Sequence, residues 1–339
     1  MPRIAFLAAF LATFAARGAT SPALFVEHEL IPSPANLGAF GPQVARSSGG
    51  DVFICWIELK ASNSASLSFA AYDSASHRWG PARVIAEIKD ENINRSEAPQ
   101  LAVGARGKIT AMWSVKKDSS EASIPAGAHH LVSISEDGGA TWSRAAPLTA
   151  ESDSTEFASL TTVGDGRIVA AWLDGRERSH GGPQALYART LGEPADVRID
   201  DRVCDCCQTA LAAFADGSAL LAYRGRTEDE VRDIQFAQLE KGQWRSPRLL
   251  NPDGWKIAGC PVNGPAAASN GGRAVVAWYT IADGQPQMRA ALSTQGGGQF
   301  LQPLRIDDSR PLSGVSAVML QRYPLPPCVT EPRPGTPGP

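Results

Sequence analysis

Short apolar strands that close on an aromatic residue recur along this chain at a nearly constant interval, and a period of about fifty residues restricts the architecture to repeated sheet or solenoid units. The segments are VFICWIE, KITAMWSV, RIVAAWLD, ALLAYRG and AVVAWYT, and their aromatic residues Trp56, Trp113, Trp172, Tyr223 and Trp278 stand 57, 59, 51 and 55 residues apart. Each strand follows a glycine turn, at Gly49-Gly50, Gly107, Gly166, Gly217 and Gly271-Gly272. Another short apolar strand precedes each turn, and a polar loop with two further strands follows each aromatic residue. The unit is therefore a four-stranded antiparallel blade, and the fold class is all-β, a propeller. The blades read as residues 41–90, 97–150, 156–200, 202–251 and 258–308, with a sixth, incomplete, begun by LSGVSAVML at 312–320. A β-sandwich is the competing arrangement, and its strands rarely keep such a period.

Composition agrees with one closed array of this kind. Apolar residues make up 43% and charged residues 20% of the 339 positions, enough to bury a core. The 32 glycines and 25 prolines are dispersed, as many tight turns require. A net charge of −3 with no basic stripe argues against nucleic acid as a partner. Residues 1–19 read as a signal peptide, with Arg3 ahead of an apolar run from Ile4 to Ala16 and small residues after it. That run is too short for a membrane span, and no later stretch approaches one, so the mature chain is expected to be a soluble monomer, secreted or periplasmic. Residues 22–320 then form the propeller, where ALFVEHEL at 23–30 could supply the outer strand of the last blade and close the ring. In the tail, 321–339, 7 of 19 residues are proline, and no blade strand can be built from it; it is expected to be disordered.

The second blade carries SISEDGGATW, which matches Ser-x-Asp-x-Gly-x-Thr-Trp through Ser135, Asp137, Gly139, Thr141 and Trp142. The fifth blade has a decayed copy in the same register: Ser293, Gln295, Gly297, Gln299 and Phe300. This pattern resembles the Asp box of the sialidase superfamily, and the resemblance implies a six-bladed sialidase-like propeller in which the box is a structural turn rather than a site. The fold itself carries both sialidases and proteins without that activity.

Because strands alternate in direction, the start of each first strand and the end of each second strand meet on one face, opposite the Asp boxes. Residues of the fourth and fifth blades converge there. Sialidases clamp the sugar carboxylate with an arginine cluster and use a tyrosine nucleophile with carboxyl groups as assistants. The resemblance thus implies Arg224, Arg226, Glu230, Arg232 and Tyr279 as catalytic candidates, and Asp174, Arg176, Tyr223, Asp233 and Asn263 as substrate-binding ones. The family's early Arg-Ile-Pro signature is absent from the first blade, which opens GPQVARSS. A solvated ion-pair network is the plainer reading of the same charged residues. The expected ligand is a glycan or acidic sugar, either hydrolysed as an exo-α-sialidase would or bound without turnover by a propeller that takes a glycan, peptide or metal.

Cys204, Cys206 and Cys207 lie at the start of the fourth blade and Cys260 at the start of the fifth, so four sulfurs can converge near the axis. In an exported protein disulfides are the default, with a thiolate site for zinc or Cu(I), or unpaired thiols, as alternatives. No cofactor is otherwise expected. Cys55 reads as a small core residue, His129 and His130 as surface or edge positions, and His180 as part of a polar loop.

Overall fold

In the computed structural model, residues 29–60, 64–89, 93–116, 128–152, 154–178 and 183–319 are described. They build five antiparallel sheets in chain order. Strands β1 (Ala39–Arg46), β2 (Val52–Lys60), β3 (Ser64–Asp73), β4 (Arg78–Trp79) and β5 (Arg83–Lys89) form the first. The second holds β6 (Gln100–Val103), β7 (Ile109–Lys116), β8 (Ala128–Ser135) and β9 (Ala146–Pro147). The third holds β10 (Thr155–Thr162), β11 (Ile168–Asp174), β12 (Gln184–Thr190) and β13 (Val197–Val203). β14 (Ala210–Ala213), β15 (Ala219–Arg224), β16 (Ile234–Glu240), β17 (Gln243–Trp244) and β18 (Arg248–Leu249) make the fourth, and β19 (Ala266–Asn270), β20 (Arg273–Thr280), β21 (Gln287–Ser293) and β22 (Leu304–Arg305) the fifth.

The order of packing makes these sheets blades. First strands neighbour one another in the sequence β1, β6, β10, β14, β19, as the inner strands of a propeller do. Side chains lock each inner strand to the next: Leu101 N–H donates to Gln43 Oε1 at 3.1 Å, and Gln100 bridges to Leu160 N–H at 2.9 Å and Ala158 O at 2.7 Å. Ser159 and Thr209 share a hydroxyl bond of 2.8 Å between the third and fourth blades. The bonds from Gln43 and Gln100 satisfy backbone groups of the inner strands that have no further strand to pair with.

The five repeat aromatics occupy the second strand of five different sheets, and all are buried. Trp172 is wholly enclosed, and its indole N–H donates to Asp174 at 2.7 Å. Trp56 donates to Glu58 at 3.0 Å, Trp278 to Asp253 at 2.6 Å, and the Tyr223 hydroxyl to Asp200 at 2.6 Å. A large ring in a core seam must find a partner for its polar edge, and four of the five aromatics meet a carboxylate.

The Asp box lies between β8 and β9. Ser135 Oγ accepts from Gly139 N–H and donates to Asp137, both at 2.7 Å, while Asp137 accepts from the Thr141 amide at 2.9 Å and hydroxyl at 2.6 Å. Gly138 and Gly139 take φ of 70° and 83°, and Trp142 packs edge-on to Phe69 of the first blade, centroids 5.5 Å apart. The decayed copy repeats this arrangement without its carboxylate. Gly297 N–H donates to Ser293 Oγ at 3.1 Å, Gly297 has φ of 77°, and Phe300 sits edge-on to Phe236 of the fourth blade at 5.1 Å. Both boxes therefore fix a glycine and an aromatic ring against the preceding blade.

The bonds from Thr141 and Ser135 pull the Asp137 carboxyl from 3.8 to about 2. A carboxylate with a depressed native pKa stabilises the fold above its unfolded value, and that contribution is lost as pH falls through the native one. Asp137→Asn is therefore expected to melt below the wild type at pH 5 to 7. The gap should narrow as pH falls from about 4 to about 2, as differential scanning calorimetry would show. A gap that does not change with pH would exclude this role.

No sixth sheet follows β22 among the described residues. Residues 312–319 of the LSGVSAVML segment carry no strand. Val315 packs on the Trp255, Tyr279 and Met288 cluster, and Met319 O accepts from Asn270 Nδ2 at 3.3 Å. Lacking a described partner strand, the segment lies against the fifth blade without joining a ladder. Among the described residues, β19 and β1 share no substantial packing. The proposed closing strand at 23–30 (apart from Glu29 and Leu30), the leader 1–19, His180, and the tail 321–339 with Cys328 lie outside the described residues.

Candidate functional site

The loop before β14, the β15–β16 connection and the approach to β19 meet at the end of the blades opposite the Asp boxes. A ladder bridge joins Val231 to Lys256, Ile257 N–H donates to Glu230 O at 3.0 Å, and Arg232 N–H donates to Trp255 O at 2.9 Å. Beside these contacts lies an open pocket of about 400 Å³ lined by Asp205, Arg226, Glu230, Arg232, Gly259 and Cys260. Two residues of this region hold left-handed backbone, Glu230 at φ 63° and Val262 at φ 50°. For a β-branched residue such as Val262 this conformation is costly, and strain of this kind collects at working sites.

Of the arginines expected here, Arg224 is not presented to the pocket. Its side chain is 1% exposed, lies 4.8 Å from the Trp255 ring centroid, and donates to three backbone carbonyls: Asn263 O at 2.9 Å, Arg232 O at 2.6 Å and Tyr279 O at 2.8 Å. It pins the fourth blade to the fifth, and its fork has no face left for a ligand. Tyr279 is likewise enclosed, edge-on to Trp255 at 5.8 Å. Tyr223 is buried with Asp200 at its hydroxyl, so burial and that carboxylate push its pKa up.

The remaining substrate-binding candidates also serve the scaffold. Asp233 accepts from the Gly254 and Trp255 amides at 2.8 and 3.0 Å, which shapes the loop after β18. Asn263 donates to Pro261 O at 2.7 Å and accepts from Gly314 N–H at 3.3 Å. Asp174 and Arg176 form a separate network in the third blade, where Arg176 reaches Asp174 at 2.8 Å and Asp196 at 2.6 Å.

What the pocket presents is Arg226 between two carboxylates. Its Nη1 donates to Asp205 at 3.0 Å, and its Nε and Nη2 to Glu230 at 3.0 and 2.8 Å. Arg232 adds a bond of 2.6 Å to Glu230. The two guanidinium groups hold the Glu230 carboxyl down to about 2, so it stays ionised at neutral pH and has no proton to give as a general acid. The sequence patterns above do not point to Asp205. Its place between Cys204 and Cys206, two cysteines expected at the same mouth, was the signal that could have found it.

The four sulfurs do converge. Cys206 and Cys260 form a disulfide with Cα atoms 6.1 Å apart, joining the loops of neighbouring blades. Cys204 and Cys207 are buried thiols with sulfurs 3.0 Å apart, and Cys204 Sγ lies 3.9 Å from Cys206 Sγ. Arg232 Nη1 donates to Cys204 Sγ at 3.2 Å.

Comparison with known proteins bears on the fold. Among solved structures, a Hadza microbial sialidase superposes with a TM-score of 0.52 at 14% identity, over 83% of this chain and 61% of its own. A polysaccharide lyase, an ulvan lyase, superposes at 0.50 and 12% identity, over 81% and 72%. The fold is a sialidase-like propeller. This chain spans 61% of that sialidase's length, and at such identities the likeness extends to the architecture alone. No protein-family description matches the sequence, and no curated protein matches it either.

Elsewhere on the propeller's mouth, the second blade corrects the reading of its histidines. His129 and His130 are 5% and 3% exposed rather than at the surface. His130 Nε2 lies 2.9 Å from Glu97 and Nδ1 3.1 Å from Thr155 Oγ1, tying the second blade to the third. Alternation along a strand shows which faces the two occupy, but not that blades cover both faces. Cys55 is a wholly buried core thiol, as expected, and burial pushes its pKa up.

Proposed function

We propose that this propeller recognises a carbohydrate at the pocket between its fourth and fifth blades, by hydroxyl contacts rather than by a carboxylate clamp. The observation that carries the reading is the half-exposed run Asp205–Arg226–Glu230, acceptor, donor fork and acceptor in turn, facing a concave space. Vicinal hydroxyls both donate and accept, and such an alternating edge offers each a charge-assisted partner. An acidic sugar would meet Arg226 only by displacing Asp205 or Glu230. Its carboxylate then gains one ion pair at the loss of another.

Hydrolysis by the sialidase route draws no support from these residues, because Tyr279 is enclosed and Glu230 is held ionised. Arg226→Ala is expected to abolish binding to an immobilised glycan array while the melting temperature stays within a few degrees of wild type. A fluorogenic sialoside should remain uncleaved by the wild-type protein. Turnover of that sialoside, or retained glycan binding by Arg226→Ala, would overturn the reading.

A further inference from the structure

We propose that the four clustered cysteines form a thiol–disulfide exchange site, in which the buried dithiol Cys204/Cys207 reduces the surface disulfide Cys206–Cys260 and thereby arms it against a partner's disulfide. This activity is independent of carbohydrate recognition.

The arrangement has the parts such a relay needs. The attacking group must be a thiolate within reach of a disulfide sulfur, and Cys204 Sγ stands 3.9 Å from Cys206 Sγ. Arg232 donates to Cys204 at 3.2 Å, and the Cys207 thiol lies 3.0 Å away on its other side. The hydrogen bond from Cys207 and, against the opposing effect of burial, the Arg232 guanidinium draw the Cys204 pKa to about 6. An electropositive niche of this kind marks a reactive rather than an inert cysteine. On the far side of the disulfide Cys260 is exposed and lines the pocket. Behind it Cys204 and Cys207 are buried, so an outside disulfide meets the relay at the more exposed Cys260.

The steps balance without an added oxidant. The Cys204 thiolate attacks Cys206 Sγ, the Cys204–Cys206 bond forms, the Cys206–Cys260 bond breaks, and Cys260 leaves as a thiolate into the pocket. Cys207, giving up its proton, attacks Cys204 Sγ and releases Cys206. One disulfide has moved from the exposed pair to the buried pair, two electrons have moved the other way, and the single proton of Cys207 passes to the released Cys206. The Cys260 thiolate can then attack a disulfide of an exported protein or a small disulfide such as oxidised glutathione. Cys206 resolves the mixed disulfide and two electrons pass to the substrate; an external thiol then reduces Cys206–Cys260, and the relay run in reverse recharges the buried pair. Two guanidinium groups facing the sulfurs favour thiolate chemistry over a bound cation, since Arg232 touches Cys204 and the Arg224 charge acts on Cys207.

The sequence supplies a direct readout. Trypsin leaves Cys204, Cys206 and Cys207 together on residues 203–224 and Cys260 on 257–273. The mature protein is equilibrated in glutathione buffers of graded potential, alkylated while folded, digested and weighed. Two species are expected in wild type, one with the peptides cross-linked and one with them separate, in which residues 203–224 are closed by an internal disulfide and Cys260 is alkylated. Cys207→Ser should stall the relay at Cys204–Cys206, and Cys204→Ser should slow alkylation of Cys260 about tenfold or more. If either variant does not fold, the wild-type peptide map alone decides. Recovery of only the cross-linked species at every potential that leaves the protein folded would overturn the proposal. So would one zinc or copper ion per chain held by these sulfurs.

Discussion

Arg224→Ala is expected to be the most damaging single substitution on the mouth of the propeller, costing at least about 3 kcal/mol. The guanidinium is 1% exposed and is the donor to Asn263 O, Arg232 O and Tyr279 O, which belong to three separate segments of the fourth and fifth blades. Alanine leaves those carbonyls facing a dry void, and each unpaired buried acceptor costs about 1–3 kcal/mol. The ring of Trp255 loses its cation as well. Domains hold only about 5–15 kcal/mol in reserve, so the variant should melt far below wild type or fail to fold cooperatively. Arg224→Lys should recover little, because one ammonium cannot span three carbonyls set around a planar fork. Urea denaturation followed by tryptophan fluorescence measures this. A variant as stable as wild type would mean that the arginine is free for a ligand after all.

Gly139→Ala should rival it, at the opposite end of the molecule. A Cβ at Gly139 would clash with Cζ of Phe69 in the first blade, and the residue holds φ of 83°. The steric cost of overfilling, about 1–3 kcal/mol, adds to about 1–2 kcal/mol for left-handed backbone. The neighbouring glycine is the internal control: Gly138 has φ of 70°, but a Cβ there meets nothing within 4 Å. Gly138→Ala should therefore show only the backbone cost. Gly297→Ala in the decayed box falls between them, since its Cβ would come 3.2 Å from Phe214 Cζ. Thermal melts of the three variants should rank in that order, Gly139 lowest. Equal melts for the two neighbouring glycines would show that the blade contact has slack.

The blade is legible in the chain alone. A second strand ending in Trp56, Trp113, Trp172, Tyr223 or Trp278 after a glycine turn is a local pattern, and the pleat and the turn chemistry act on neighbours in the chain. The Asp box was legible for the same reason, as its bonds join residues within four positions of one another. So was the meeting of Cys204, Cys206, Cys207 and Cys260, because strand direction puts the starts of adjacent first strands side by side. Only the packing of the blades sets which charged groups are enclosed and which stand at a pocket. Arg224 and Arg226 are two residues apart and chemically identical, yet one faces a seam between blades and the other a pocket. Tyr279 is scaffold because the Trp255 ring packs on it, and Asp233 and Asn263 are scaffold because backbone amides of distant segments donate to them. His129 and His130 are buried because neighbouring blades cover both faces of their strand. The cost of leaving a buried polar group unpaired is set by whatever the folded chain brings alongside it, and a linear sequence does not carry that information.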